Sequence, residues 1–181
     1  MRKFITIIIL TIYSCTRPAI IPSSTTLDLS GRHLKTIPDS VFANRNLKYL
    51  DLGSKSIKFY PPLSALADSN ANNISVLPEA IGNLNNLSTL ILNSNNLTSL
   101  PNAITKLTRL EVLDLSVNRQ LDLVHELDKL KSLPNLKVLK IVNVKLTKAD
   151  LELVKSSLRK DVKVIVTISD YMESLQKLFS R

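Results

Sequence analysis

The chain has no tryptophan, one cysteine, two histidines, three glycines and an aromatic content of only 4% over 181 residues. Each shortage removes something. A lone cysteine forms no internal disulfide, so stability has to come from packing. Three glycines are too few for a phosphate-cradling loop, which argues against nucleotide chemistry. His33 and His125 fall in distant parts of the chain. No serine elbow, cysteine–histidine pairing or metal-ligand spacing accompanies them, so neither catalysis nor a metal or cofactor is expected. Aromatics are also missing from among the late basic residues, Lys129 to Lys163, where a nucleic-acid surface would use them for stacking.

What the chain does have is leucine in a recurring phrase: Leu47-Lys-Tyr-Leu50-Asp-Leu52, Leu87-Ser-Thr-Leu90-Ile-Leu92, Leu110-Glu-Val-Leu113-Asp-Leu115 and Leu136-Lys-Val-Leu139-Lys-Ile141. Alternation of this kind is a strand with one apolar face. Leu50 and Leu52 point inward, while Tyr49, Asp51 and Gly53 point out. One such strand cannot bury its apolar side alone. Stacked copies form a parallel sheet over a continuous core, with Ile57, Leu97 and Ile104 added from the turns and the outer arc. Aligning the third apolar position gives Leu29, Leu52, Leu92, Leu115, Ile141 and Val166, hence about six units.

Pro38, Pro61, Pro78 and Pro101 mark one point in successive units. The spacings are 23, 17 and 23 residues, so residues 59–73 read as a unit shortened on its outer arc, with a projecting binding bulge as the alternative. Leu115 and Ile141 are 26 residues apart, which gives that outer arc room for a helix. Asn95 and Asn118 each follow a last strand leucine by three residues, where an amide can satisfy backbone groups of the neighbouring turn. Arg32 and Lys55 hold that place in the first two units, so the asparagine ladder is expected to break there. Thr147-Lys-Ala-Asp150 reads as a helix start, with Leu151, Val154 and Leu158 at helical spacing. Val162–Ile168 reads as a last strand, and Ser169-Asp170 opens a final helix with Met172, Leu175, Leu178 and Phe179 on one face.

This recurrence, over residues 24–168, resembles the leucine-rich repeat family of the 23-residue Leu-Pro type. The resemblance implies an α/β solenoid: a short right-handed horseshoe with a parallel β-sheet on the concave face and turns or short helices on the convex face. It implies a capping helix over 169–181, with a partner-docking helix as the alternative, and a scaffold that binds and does not catalyse.

Met1-Arg2-Lys3 followed by Phe4–Ile12 is a basic region and a short apolar run, well under the ~20 residues that span a bilayer. It ends in Ile12-Tyr13-Ser14-Cys15, which resembles the lipobox of bacterial lipoproteins. Residues 1–14 are then a signal peptide, Cys15 the lipid attachment site for acyl chains such as palmitate, and 15–23 the tether, with plain secretion or an uncleaved anchor as the alternative. No Asp follows Cys15, which leans towards an outer membrane or the cell surface over the inner membrane. Loss of Arg2 and Lys3 takes the formal net charge from +9 to +7. The late basic residues between Lys129 and Lys163 read as a solvated face, or as contact with anionic headgroups or an acidic envelope polymer.

The outward strand positions stack into columns. The middle one runs Asp28, Asp51, Ile91, Asp114, Lys140; beside it lie Thr26, Tyr49, Thr89, Val112, Val138 and Ser30, Gly53, Asn93, Ser116, Val142. Asp28, Tyr49, Asp51, Ile91, Asn93, Asp114 and Lys140 are the concave-face binding candidates, with Tyr49 and Ile91 as apolar anchors and the acids steering. The partner expected is a protein or envelope glycan on that face, with the membrane engaged through the N-terminal lipid. A structural envelope component touching a neighbouring subunit or the cell wall is the alternative. Nucleic acid is not expected, and nothing in the sequence sets an oligomeric state.

Overall fold

The computed structural model describes residues 24–54 and 71–179. Six three-residue strands form one parallel sheet in chain order: β1 (Thr26–Asp28), β2 (Tyr49–Asp51), β3 (Thr89–Ile91), β4 (Val112–Asp114), β5 (Val138–Lys140) and β6 (Lys163–Ile165). The register places Leu27, Leu50, Leu90, Leu113, Leu139 and Val164 in one row. This is the stacking that a one-faced strand requires, and it makes the chain the α/β solenoid expected from the repeat.

Each strand returns along an outer arc whose length sets its structure. The arcs after Pro38, Pro78 and Pro101 hold one turn apiece: α1 (Asp39–Ala43) and 3₁₀ turns at Glu79–Asn83 and Asn102–Lys106. In all three the proline is extended, and its carbonyl accepts from the N–H three residues on, of Val41, Ile81 and Ile104. Fixed φ and a missing donor suit proline to that corner. The longer arcs take helices, α2 (Leu127–Lys131) and α3 (Lys148–Ser157). Thr147 and Asp150 close α3 with a reciprocal capping box, and those bonds hold the Asp150 carboxyl below its usual range.

The core is leucine packed on leucine, with Leu47, Leu50, Leu52, Leu87, Leu90, Leu92, Leu110, Leu113 and Leu115 wholly inaccessible. Burying each such side chain contributes roughly 1.5–3 kcal/mol. Between units the turns are held by asparagine. Asn95 Nδ2 donates to the Leu52 and Leu92 carbonyls, and its Oδ1 accepts from Ile74 N–H. Asn118 does the same for Leu92, Leu115 and Leu97 N–H.

The ladder does not stop there. Asn72 Nδ2 donates to the Leu29 and Leu52 carbonyls, and its Oδ1 accepts from Arg32 and Leu34 N–H. The break expected at the second unit is therefore corrected, because Asn72 performs the task assigned by position to Lys55, while Arg32 keeps that place in the first unit. Lys55, Ile57, Pro61 and most of the shortened unit read at 59–73 lie outside the described residues. Among the described residues β2 pairs directly with β3, Leu50 against Leu90. Three residues separate Leu92 from Asn95 but twenty separate Leu52 from Asn72, so 17 extra residues enter one otherwise regular turn.

Two residues past four of the six last strand apolar positions the backbone turns left-handed, at Gly31, Ser94, Val117 and Asn143. The cause is a bond between units. Gly31, Ser94 and Val117 N–H donate to the Gly53, Ser116 and Val142 carbonyls. A β-branched residue at φ 61°, as at Val117, is strained, and the interunit bond holds it there.

The last helix, α4 (Ile168–Phe179), departs from expectation in the face it uses. Its buried residue is Tyr171, with Leu175 partly covered, while Met172 is 49% exposed. The two pack with Val138, Val142 and Ile165 in a cluster separate from the leucine core. Val138 and Ile165 point outward from the sheet, so α4 lies across the concave face at its C-terminal half. The side chains of Leu178 and Phe179 lie outside the described residues.

Candidate functional site

The middle column of the concave face is built from aspartates with a local task. Asp28, Asp51 and Asp114 each accept, through Oδ1, the N–H two residues on, at 2.9, 2.8 and 3.0 Å. This side-chain turn ends the strand and turns the chain toward the asparagine ladder. Lys140 has no acceptor for that purpose. Ser116 Oγ of the preceding unit accepts from Val142 N–H at 3.1 Å instead.

Along this column accessibility changes abruptly. Asp28 is exposed and Tyr49, Asp51 and Ile91 are partly exposed, whereas Asn93, Asp114 and Lys140 are each 2% exposed or less. The structure thus divides the seven candidates. Four line an open N-terminal half, and three are brought together beneath Tyr171. The Tyr171 hydroxyl donates to Asp114 Oδ2 at 2.6 Å and accepts from Asn93 Nδ2 at 3.3 Å. Lys140 Nζ sits 4.7 Å from the centre of the Tyr171 ring. Buried and without a hydrogen bond among the described residues, that ammonium is offset by the ring face and the Asp114 charge.

Burial dominates the electrostatics throughout. It raises the Asp51 carboxyl, with Asp28 and Asp114 adding to the effect and Gly53 N–H opposing it. It raises Asp114 against the Tyr171 hydroxyl and the Lys140 charge, and it lowers Lys140. Tyr49 is pushed up to about 12 by burial and then by Asp51, towards which its hydroxyl points at 3.4 Å. Tyr171 is raised by burial and by Asp114.

The two halves meet at Asn93. Its Oδ1 accepts from Ser54 N–H at 3.1 Å, and its Nδ2 reaches Tyr171. To do so the side chain crosses Gly53, where a Cβ would stand 1.6 Å from Asn93 Oδ1. Sequence reasoning named Asn93 but missed its partner. The signal was available: Tyr171, Leu175 and Leu178 fall at helical spacing as well as Met172, Leu175 and Phe179 do.

Much of the late basic cluster is engaged. Lys129 pairs with Glu126 at 2.7 Å, Lys131 with Asp128 at 2.9 Å, and Lys137 with Glu111 at 3.0 Å. Arg159 bonds the Leu133 and Leu136 carbonyls as well as Asp161. His125 meets Asp122 on the surface, remote from His33. Among the described residues no cluster of His, Cys, Asp or Glu is arranged to hold a metal ion, and no helix is long and apolar enough to cross a membrane. Cys15 and the segments 1–14 and 15–23 lie outside the described residues.

The model of the leucine rich repeat matches residues 70–119. Similar solved structures include a leucine-rich repeat protein of Leptospira interrogans, 20% identical, with 77% of this chain aligned to 48% of that one at a TM-score of 0.38. An internalin from Listeria monocytogenes is 19% identical, with 79% of this chain aligned to 47% of it at a TM-score of 0.44. The chain spans about half the length of each. No curated protein matches it.

Proposed function

We propose that this leucine-rich repeat protein is a non-enzymatic binding module that takes a protein or envelope glycan on its concave face and is held at a bacterial membrane by lipid on Cys15. The observation that carries the reading is the open half of the sheet, where Asp51 has Tyr49 before it on its own strand, Ile91 beside it on β3 and Asp28 beside it on β1. An aromatic and an aliphatic anchor flanked by charge is the make-up of a binding hot spot. The carboxylates are held in place by their turn bonds, so little side-chain entropy is lost on docking. Asp51 is already partly desolvated, so a partner's cation or N–H donor gains there without first stripping water.

The lipobox-like Ile12-Tyr13-Ser14-Cys15 supports the anchoring, and the absence of Asp after Cys15 supports an outer-membrane or cell-surface position. A tether of residues 16–23 extends at most ~25–30 Å, which keeps the solenoid near its membrane. Leu-Pro steps at 77–78 and 100–101, with 23-residue units, support the Leu-Pro type.

Retention of envelope fractions by wild type, Tyr49→Ala and Asp51→Asn tests the binding reading. We expect at least a tenfold drop for each variant, and unchanged retention by both overturns it. A saturable soluble ligand identifies a receptor-like module, whereas retention of insoluble wall material identifies a structural component. Detergent phase partition of wild type against Cys15→Ala tests the anchor: equal partition of the two sinks it.

A further inference from the structure

We infer that the C-terminal half of the concave face is a socket for a tyrosine side chain, that Tyr171 is its resident occupant, and that a partner's tyrosine-bearing helix displaces α4 from it. The inference rests on the reading of the concave face as the binding surface.

The socket has the features of a recognition site. Val138, Val142 and Ile165 supply its apolar wall, against which Leu175 of α4 packs beside Tyr171. Asp114 Oδ2 and Asn93 Nδ2 address the two hydrogen-bonding functions of a phenol, one accepting from it and one donating to it. Lys140 covers the ring face. Phenylalanine would lack the hydroxyl that Asp114 and Asn93 address, and no aliphatic residue would offset the buried ammonium.

The occupant is built to leave. α4 packs outside the leucine core, so its departure does not open that core. The start of the helix is held by its own residues: Asp170 N–H donates to Thr167 Oγ1, whose hydroxyl donates to Asp170 Oδ2. Its outer side carries Ile168 and Met172, 45% and 49% exposed. Only Val166 and Thr167 separate β6 from α4. So short a link gives Tyr171 an effective concentration on the order of millimolar or more, which a partner has to exceed. Displacement also reaches the open half, because Asn93 spans the boundary to Ser54 over Gly53, next to Asp51.

The probe is a fluorescent peptide of residues 166–179, titrated in trans against the full chain and followed by anisotropy. We expect Tyr171→Ala to bind it one-to-one at least tenfold tighter than wild type, and a peptide with alanine for its tyrosine to bind at least tenfold more weakly. A folded Tyr171→Ala chain that ignores the peptide, or binds both peptides alike, overturns the inference. Should Tyr171→Ala fail to fold, amide hydrogen exchange of wild type decides. Faster exchange in α4 than in β4 and β5 supports displacement, and exchange of all three only through one global opening overturns it. Wild-type dimers that the peptide dissolves would overturn the partner as occupant and put a second copy in its place. Envelope retention that survives Tyr49→Ala and Asp51→Asn while the peptide result holds would remove the functional reading and leave the socket.

Discussion

Replacing Asn72 with alanine tests whether the second turn of the solenoid is closed by a residue that lies 20 positions beyond its strand. The amide has 3% exposure and joins four backbone groups: N–H of Arg32 and Leu34, at 3.0 and 2.9 Å, and the carbonyls of Leu29 and Leu52, both at 2.9 Å. A buried backbone group left unpaired costs about 1–3 kcal/mol. Three of these four bonds are part-buried, so water can reach some of the orphaned groups, and the lower end of that range applies. We predict a loss of about 3–5 kcal/mol, a large share of the ~5–15 kcal/mol that holds a domain folded. Urea unfolding followed by circular dichroism reads it as a lower midpoint with an unchanged slope. Asn73→Ala is the matched control: it is exposed, its side chain meets Asn96, and its loss should stay within ~0.5 kcal/mol. An Asn72→Ala chain within ~1 kcal/mol of wild type would refute the assignment, and with it the continuity of the ladder across the 17 extra residues.

Gly53→Ala sets a Cβ against Asn93 Oδ1, so the amide has to swing away from Ser54 and Tyr171; thermal unfolding should show a cost of about 2–3 kcal/mol. Val117→Gly relieves a β-branched residue at φ 61°, and after the entropy of an added glycine we expect a gain of up to ~1 kcal/mol in the same assay. Asp51→Asn should raise the melting temperature at neutral pH and lose that advantage in acid. The folded carboxyl is raised, so the ionised form costs stability above that raised value, and the cost vanishes as the pH falls past the ordinary 3.8. A difference between Asp51→Asn and wild type that stays constant with pH would sink the last of these.

The strands were legible because alternation is local: Leu50 and Leu52 tell which side is core without reference to any other unit. The parallel register followed from repetition, and Leu50 against Leu90 bears it out. Asn95 and Asn118 were legible as a constant offset from the strand. Asn72 was not, because the offset was counted forward from Leu52. Counted backward from the proline it stands six residues before Pro78, as Asn95 stands six before Pro101. An insertion breaks one count and leaves the other intact. The outward positions of the concave face were legible for the same local reason as the core. Their covering was not, since the period of a helix gives its apolar face but not the surface on which that face lands. For α4 two faces were available in the sequence. The one with Tyr171 won because Asn93, Asp114 and Lys140, some 30 to 80 residues away in the chain, together supply what a phenol needs.

The aspartates of the concave column carry two roles that one substitution can separate. As turn residues, Asp28, Asp51 and Asp114 need only an oxygen that accepts the N–H two positions on. As binding groups they need charge. Asparagine keeps the oxygen and drops the charge, and at Asp51 it also removes repulsion from Asp28 and Asp114. If the column exists only to end strands, Asp51→Asn is a better sequence at neutral pH, more stable and no worse at anything else. We predict instead that it gains stability and loses retention of envelope material in the same variant. That pairing is the mark of a residue kept at a cost to the fold because a partner uses its charge. Lys140 extends the reasoning to the other half. It stands where three of the four earlier units have an acid, and its lowered affinity for a proton reflects a burial that Tyr171 and Asp114 offset in part. Lys140→Met takes from the buried Asp114 a charge that favours its ionised form, and leaves the socket without the cation that distinguishes an aromatic ring from an aliphatic side chain. A Lys140→Met chain, made with Tyr171→Ala, that still prefers the tyrosine peptide by the full tenfold would assign the selectivity to Asp114 and Asn93 alone.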